Sequence, residues 1–222
     1  MNPAPPVIQI VEDMMIDPLS GDLGHSDLPL GRAFYQCPTA EVAVSLLGKI
    51  VIRETAEGRV AVRLTEVEAY LGPADPACHT FGGRRTPRVE SMWGEAGRAY
   101  VYLIYGMHCC LNIVTVGDGA GEAVLLRGGV VVSGGPLIRK RRGPRPSDRD
   151  LLNGPGKLCQ ALAIDRAADG GDLCSTESGL WIEDDGYRVS VDRISTSPRI
   201  GLRNVGDAAY WPLRFSVSMN ER

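Results

Sequence analysis

The segment YVYLIYGMHCCLNIVT, residues 100–115, constrains the fold of this chain more than any other. Two apolar, β-rich runs flank the pair Tyr105-Gly106, a pattern that predicts two antiparallel strands joined by a tight turn. Turns lie on the surface, and tyrosine is an unusual residue at the tip of one. The segment therefore predicts a protruding β-hairpin that holds the large side chain of Tyr105 in solvent.

Other stretches extend this antiparallel pattern. Residues 49–54 and 60–70 alternate as strands, a polar turn with Gly58 joins them, and residues 121–132 predict a further strand. WIEDDGYRVS, SPRIGL and PLRFSVS predict three more strands towards the C-terminus. Strands joined by short turns thus outnumber every other kind of element.

Helices are expected at only a few places. Residues 38–49 have an apolar face at helical spacing, with Thr39 or Cys37 as the candidate cap, and residues 153–164 predict a second helix. The chain therefore predicts the α+β class, as a single mixed, largely antiparallel β domain with a few packed helices and a protruding β-hairpin.

The chain has 222 residues, enough for one large domain with its own core. Residues 1–30 are rich in Pro, Asp and Gly, so we expect a flexible acidic leader followed by one domain over residues 31–222. No apolar run approaches the roughly 20 residues that a membrane-spanning helix needs, and no secretory signal is expected. The six cysteines form no CxxC pair, which favours a reduced, intracellular protein.

The net charge of −3 argues at first against a nucleic-acid partner, but its distribution changes that view. Residues 1–30 hold five acids and no Lys or Arg, which leaves 24 basic and 22 acidic side chains in residues 31–222. The excess is local, because residues 139–149 carry six basic side chains and one acid, and residues 82–88 (GGRRTPR) form a second basic run. Each run can contact phosphates or can be a solvated loop.

Glu66 and Glu68, in LTEVEAYLG, are the first candidates for chemistry. Their spacing of two places both on one face of a strand, with Tyr70, at the mouth of the long loop of residues 71–88. Paired carboxylates can carry acid–base catalysis. The residues alone favour the alternative, an exposed strand edge protected by charges.

Cys78-His79 and His108-Cys109-Cys110 suggest a different site, the zinc centre of a hydrolase. Adjacent residues of a strand point to opposite faces, so we expect no metal ligands here and small apolar packing for Cys109 and Cys110. GxGxxG and P-loop motifs are absent from the sequence. The sequence therefore predicts neither a metal nor another cofactor.

Six blocks together resemble the alkyladenine (3-methyladenine) DNA glycosylase family: EVEAYLGPADPACHT, GGRRTPR, YVYLIYGMHCCLNIV, GDGAGEAVLLR, NGPGKLCQAL and the terminal PRIGL…WPLRF. The resemblance runs in order from about Arg32 to Val217. It implies a monofunctional DNA-3-methyladenine glycosylase that hydrolyses the N-glycosidic bond of alkylated or deaminated purines and starts base excision repair. It also implies that the base is flipped out of the duplex first.

The resemblance implies catalytic roles for three residues. Glu68, in EAY, corresponds to the general base that activates the water, and its carboxylate offsets the charge that develops on the sugar. Arg127, in LLR, corresponds to an arginine that holds the water site and the backbone of the flipped nucleotide. The main-chain carbonyl of Ile200, in RIG, corresponds to a third contact to that water.

Four residues correspond to the pocket for the flipped base. Tyr70, His79 and Tyr102 are implied to sandwich it, and aromatic faces attract electron-poor, often cationic, alkylated purines. Asn112 is implied to crowd the 2-position of the purine and to disfavour normal guanine by a clash. The resemblance therefore implies a pocket with a broad lesion range.

The remaining implied contacts are to DNA. Tyr105 corresponds to the wedge that enters the minor groove and fills the gap left by the flipped nucleotide. Met107, Arg84 and Arg85 are implied contacts to the DNA backbone. The stretch His108-Cys109-Cys110 departs from a more aromatic stretch in the animal proteins, so the lesion range follows less directly than the reaction type.

Double-stranded DNA containing damaged purines is therefore the expected partner, and no membrane is expected. The protein is expected to act as a monomer in the cytoplasm, associated with the nucleoid. The alternative is a non-enzymatic protein that binds damaged DNA, which needs the hairpin and the pocket but not Glu68. The joint presence of Glu68, Arg127 and the RIG segment favours the enzyme.

Overall fold

The computed structural model describes residues 26–117 and 119–219. Their nine strands belong to one sheet, and each pairing between them is antiparallel. The strands run in the order β1-β7-β2-β3-β6-β5-β4, with β9 on β3 and β8 on β9. They are β1 Ser26–Pro29, β2 Ile50–Thr55, β3 Gly58–Tyr70, β4 Ala99–Ile104, β5 His108–Thr115, β6 Glu122–Ser133, β7 Leu180–Asp184, β8 Ile194–Ser197 and β9 Arg214–Val217.

Four α-helices accompany the sheet in the described ranges, which confirms the predicted α+β class. α2 packs against β3 and β6, and α4 packs against β5 and β6, so both cover the centre of the sheet. None of these helices is long and apolar enough to cross a membrane. They are α1 Arg32–Tyr35, α2 Thr39–Leu46, α3 Gly135–Arg142 and α4 Pro155–Ala161.

The first predicted helix exists, but the predicted cap is wrong. α2 has no side-chain cap, and its N-cap position is Pro38. The Thr39 hydroxyl instead lies 2.7 Å from that of Thr115 and donates a 2.5 Å hydrogen bond to Glu122. The helix ends at Leu46, and Gly48 follows with φ 85, a left-handed conformation that favours glycine. Burial against the sheet therefore directs Thr39 away from the helix terminus.

The predicted hairpin is confirmed in β4 and β5. Ile104 and His108 are its last paired residues, and Met107 N–H donates to the Ile104 carbonyl at 3.2 Å. Tyr105 and Gly106 form the turn with φ 53 and φ 72. Two central residues with positive φ match the twist of the flanking strands. A tyrosine is uncommon in this region, and such strained residues concentrate at functional sites.

The interpretation of Glu66 and Glu68 as an exposed strand edge is wrong. β3 lies between β2 and β6, and its segment from Glu66 to Glu68 also pairs with β9. Glu68 is fully buried, and only a fifth of the Glu66 side chain is exposed. The long-range pairing with β9 is what removes this edge from solvent.

One of the three strands predicted for the C-terminal part of the chain lies at a different place. SPRIGL was predicted as a strand, but residues 198–203 form an irregular segment, and the strand β8 ends just before it at Ser197. The alternating pattern of SPRIGL is misleading because the Arg199 side chain is buried against Asp75 and does not lie on the solvent face of a strand. β9 lies within PLRFSVS as predicted, whereas β7 covers only the first half of WIEDDGYRVS.

Part of the predicted flexible leader is ordered as a strand. Ser26–Pro29 form β1 and pair with Glu183 and Asp184 of β7. Four residues are too few to give a period of two in the sequence, so the edge of β7 decides their conformation. Residues 1–25 lie outside the described residues.

Candidate active site

A cavity of about 220 Å³ opens between the hairpin, the loop of residues 71–88 and the segment of residues 200–202. Aromatic and polar side chains line it, as a site for a flat polar ligand requires. Seven of the residues singled out by the sequence line this cavity: Tyr70, His79, Tyr102, Tyr105, Asn112, Arg127 and Ile200. Chain segments that are far apart in sequence therefore meet at one place.

Glu68 lies behind this lining, fully buried at the centre of the sheet. The Tyr70 hydroxyl donates to Oε2 at 2.8 Å, and Ile200 N–H donates to Oε1 at 2.8 Å. Arg127 Nε lies 3.3 Å from Oε1. A carboxylate offers about four acceptor positions. Two hydrogen bonds and the charge of Arg127 fix the orientation of the carboxylate and leave acceptor capacity for a further hydrogen, such as that of a water.

The electrostatics of Glu68 favour a base. Burial raises its pKa, while Arg127, the Ile200 N–H and the Tyr70 hydroxyl lower it, and the burial effect is the largest. A raised pKa makes an ionised carboxylate a stronger proton acceptor. The same environment that holds Glu68 in one orientation therefore also increases its basicity.

Arg127 joins the two glutamates of β3. Its Nε donates to Glu66 Oε1 at 2.9 Å, and Glu66 also accepts from Arg214 Nη1 at 3.1 Å. The pairing of β3 with β6 shifts register at Glu66, and both carboxylates contact the one guanidinium. Burial lowers the pKa of Arg127, but Glu68 and Glu66 outweigh it and raise the pKa. Arg127 therefore stays charged at the cavity wall.

His79 is held as a neutral ring. Its Nδ1 lies 2.8 Å from the Tyr100 hydroxyl, and its ring packs edge-on against Tyr102 with centroids 4.7 Å apart. Burial lowers the pKa of His79 to about 4, and the charges of Arg88 and Arg84 act in the same direction. An uncharged ring does not repel a cationic ligand.

Asn112 is fixed in the cavity wall by its own hairpin. It is buried on β5, opposite Tyr100, and its Nδ2 donates to the Tyr100 carbonyl at 3.1 Å. Because this bond limits rotation of the amide, Asn112 presents a fixed shape to the cavity.

The hairpin tip carries two exposed apolar side chains. Tyr105 is 80% exposed and Met107 is 72% exposed. Tyr102 and Tyr105 are three positions apart, a spacing that directs side chains to opposite faces of a regular strand, but both residues border the cavity. The left-handed conformation of Tyr105 breaks the alternation of the strand, so its side chain reaches the cavity mouth.

Arg84 and Arg85 are exposed on the loop of residues 71–88, outside the cavity lining. Arg85 forms a double contact with Glu90, at 3.0 and 2.5 Å, and lies over the Trp93 ring at 5.9 Å. The Arg84 carbonyl accepts from the Trp93 indole at 3.2 Å. Their predicted role as contacts to the DNA backbone remains a prediction.

The basic run of residues 139–149 is not simply a loop. Its first four residues form the end of α3 and contact protein groups. Lys140 and Arg141 contact Glu57 at 2.8 and 3.3 Å, and Arg142 donates to the Leu151 carbonyl at 2.9 Å. These internal contacts account for much of the run.

The cysteine–histidine pairs do not converge. Cys78 Sγ lies 3.1 Å from the Thr80 hydroxyl, whereas His79 turns to Tyr100. Cys110 is buried and Cys109 is half-buried against the core, which confirms their expected packing. Over residues 26–117 and 119–219, no three His, Cys, Asp or Glu side chains are grouped as a metal ion requires.

Sequence reasoning missed a buried ion pair beside Glu68. Arg199 and Asp75 are both fully buried, and Arg199 Nη2 donates to Asp75 Oδ1 at 2.9 Å. Arg199 also lies over the Tyr70 ring at 4.7 Å. The sequence carries no signal for a pair whose members are 124 residues apart.

Comparison with known proteins places these residues in a family context. Residues 33–221 match the model of the methylpurine-DNA glycosylase family. The chain is 45% identical over 186 residues to a Methanocella arvoryzae protein, covering 84% of this chain and 90% of that protein. It is 47% identical over 189 residues to a Burkholderia cenocepacia protein, covering 85% and 87%. Both relatives bear the name "Putative 3-methyladenine DNA glycosylase".

Proposed function

The chain belongs to the methylpurine-DNA glycosylase family, and from that premise we propose that Glu68 activates the water that releases a purine flipped into the cavity. The protein is accordingly a DNA glycosylase, a DNA-repair enzyme whose substrate is DNA. Family membership thus favours the enzyme over a non-enzymatic damaged-DNA-binding protein. The roles of its individual residues are part of the proposal.

One observation carries the proposal: a buried carboxylate, held by two hydrogen bonds and an ion pair with Arg127, lies behind the wall of an aromatic cavity. In the proposed reaction the water oxygen attacks C1′ of the deoxyribose and Glu68 takes one water proton. The N-glycosidic bond breaks with its electron pair leaving on the purine. Negative charge on Glu68 before the transfer stabilises the positive charge that develops on the sugar.

The lining suits a damaged purine. Tyr70, His79 and Tyr102 supply aromatic faces and edges, which favour electron-poor rings. The neutral state of His79 avoids repulsion of an alkylated, cationic base. Asn112 disfavours purines with a group at the 2-position by steric contact.

Tyr105 is the proposed wedge. Its exposed ring extends from a short, paired hairpin at the mouth of the cavity. Insertion of an apolar side chain between base steps offsets part of the unstacking free energy, which is a few kcal/mol. Met107 beside it, with Arg84 and Arg85, contacts the backbone in this proposal.

The lysines support direct attack by water over a covalent Schiff base. The chain has three lysines, Lys49, Lys140 and Lys157. Each pairs with a carboxylate, at 2.7, 2.8 and 3.3 Å, and none lines the described cavity. A lysine nucleophile needs to reach the sugar with a depressed pKa.

A base-release panel tests the proposed monofunctional mechanism. The protein is mixed with duplexes that carry hypoxanthine, 3-methyladenine, 7-methylguanine or ethenoadenine. We expect free base and an abasic strand that breaks only after alkali treatment. A protein–DNA adduct trapped by borohydride would contradict the monofunctional mechanism, since only a Schiff base gives that adduct.

A further inference from the structure

The buried pair of Asp75 and Arg199 has no part in the roles assigned so far. The two side chains meet through two parallel contacts, from Nη1 and Nη2 of Arg199 to the two carboxylate oxygens, the second at 2.9 Å. Nη1 also donates to the Ala69 carbonyl at 3.0 Å. Burying two charges is costly, and apolar residues would stabilise such a place as well or better. This cost suggests that the pair serves more than stability.

Asp75 fixes the start of the loop that carries His79. Its carboxylate accepts the N–H of Leu71 at 3.1 Å and the N–H of Ala77 at 2.9 Å, in addition to the two arginine nitrogens. Four donors match the acceptor capacity of a carboxylate. The turn that leads into the cavity wall is therefore tied to Arg199.

Arg199 connects that turn to Glu68 and Tyr70. Its own carbonyl carbon is bonded to the nitrogen of Ile200, whose N–H donates to Glu68 Oε1 at 2.8 Å. Fixing Arg199 therefore restricts the direction of that N–H. The flat face of the guanidinium also lies over the Tyr70 ring at 4.7 Å.

We propose that the Asp75–Arg199 ion pair positions the catalytic carboxylate and the purine pocket as one unit, with Arg199 as a positioning residue for Glu68. The inference rests on the proposed function of Glu68. A rigid fork holds the backbone at residue 200, the ring of Tyr70 and the loop of His79 in fixed relation. Lysine has the same charge but neither the fork nor the flat face.

The charge of Arg199 supports the same assignment. Burial raises the pKa of Glu68, and Arg199 is among the groups that lower it, together with the Ile200 N–H. Displacement of Arg199 weakens both its own lowering of the Glu68 pKa and that of the Ile200 N–H. The carboxylate then takes up a proton at a higher pH, and the acid limb of the rate profile moves upward.

The test uses Arg199→Lys with Arg63→Lys as its matched control. Arg63 makes the same kinds of contact as Arg199, but away from the cavity. It contacts both oxygens of Asp185 at 3.0 and 2.6 Å, donates to the Gly48 carbonyl at 2.7 Å and lies over the Tyr187 ring at 4.7 Å. The measurement is the single-turnover rate constant of hypoxanthine release at saturating enzyme, from pH 5 to 9. This rate constant does not depend on the folded fraction.

Arg199→Lys is expected to lower the rate constant about 10- to 100-fold, as small misplacements of catalytic groups do, and to move the acid limb to higher pH. Arg63→Lys is expected to stay within about twofold of the wild type with an unmoved limb, since it touches no group of the site. If Arg199→Lys melts below the assay temperature, Asp75→Glu replaces it with the same expectation. A wild-type rate and limb in the folded variant would overturn the inference, even where Glu68→Gln is inactive and the proposed function stands.

Discussion

Tyr70 and Glu68, two residues apart on β3, are joined by a 2.8 Å hydrogen bond from the tyrosine hydroxyl to Oε2. The same tyrosine forms part of the cavity wall. A purine stacked on Tyr70 is therefore placed in fixed relation to the carboxylate behind it. In the proposed mechanism, binding of the base and activation of the water both depend on this short stretch of β3.

Glu68→Gln is expected to raise the free energy of unfolding at pH 8. Burial raises the pKa of Glu68, so the folded state favours the neutral carboxyl more than the unfolded chain does. The contribution of Glu68 to the free energy of unfolding is then fully present below the unfolded pKa and is lost as the pH rises through the higher folded pKa. Glutamine remains neutral throughout. Denaturant titrations should show a gain of about 0.5–2 kcal/mol at pH 8, the size typical of relieved functional strain.

The pH dependence of that gain provides its control. It should shrink as the pH falls towards 4.5, the ordinary value for a glutamate carboxyl. A variant less stable than the wild type at pH 8 would show that the two hydrogen bonds and the Arg127 ion pair outweigh burial.

Tyr105→Ala is expected to weaken binding to a hypoxanthine duplex about 5- to 150-fold, which corresponds to the 1–3 kcal/mol of a lost base–aromatic stack. The side chain is 80% exposed, so the melting temperature should stay unchanged. Fluorescence of a reporter base beside the lesion measures flipping directly.

Tyr210→Ala is the matched control for the wedge. Tyr210 is 78% exposed on a short 3-10 turn and does not line the described cavity. It should bind and flip like the wild type. Equal effects of the two substitutions, or none from Tyr105→Ala, would remove the wedge role from Tyr105.

The hairpin could be predicted because its signals are local. Alternating apolar residues around Tyr105-Gly106 determine both strands and the turn without help from the rest of the chain. The spacing of Glu66, Glu68 and Tyr70 likewise indicated a shared position near a loop mouth. Local pattern therefore indicated Glu68, Tyr70 and Tyr105, whereas the other candidate site residues were implied by the resemblance to the family.

What the sequence could not provide depends on distant pairings. β9 covers the segment around Glu68 from about 150 residues away, so the burial that makes the carboxylate basic left no local trace. Arg199 meets Asp75 across 124 residues, and Arg199 was assigned to a strand instead. The sequence showed a basic run at the end of α3, but it did not show that Lys140 and Arg141 pair with the Glu57 carboxylate.

His79 is expected to titrate with a midpoint of about 4. Burial disfavours the charged ring, and Arg88 and Arg84 add repulsion. Because the folded pKa lies below the unfolded one, the contribution to stability is present above about pH 6.5 and is lost as the pH falls towards 4. NMR of the imidazole Cε1–H signals, assigned with a His79→Gln variant, measures this. A midpoint at or above 6.5 would contradict the lowering of the His79 pKa by burial.

Asn112→Ala is expected to relax discrimination at the purine 2-position. The amide is buried and held by the Tyr100 carbonyl, so its removal opens fixed space in the wall. The ratio of 7-methylguanine to hypoxanthine excision should rise about 10- to 200-fold, as for a change of this size in a pocket. An unchanged ratio with an unchanged melting temperature would assign the exclusion of guanine to another residue.

Single-turnover excision of hypoxanthine by Glu68→Gln tests the central claim most directly, with Glu183→Gln as control. Glu183 is also a buried glutamate, bonded to Arg59 at 3.0 Å and to the Trp181 indole at 2.8 Å, outside the cavity lining. We expect Glu68→Gln to bind the lesion duplex like the wild type and to release the base about 10²- to 10⁴-fold more slowly, the range for a lost general base. Glu183→Gln should excise at the wild-type rate. Near-normal base release by Glu68→Gln would contradict the account.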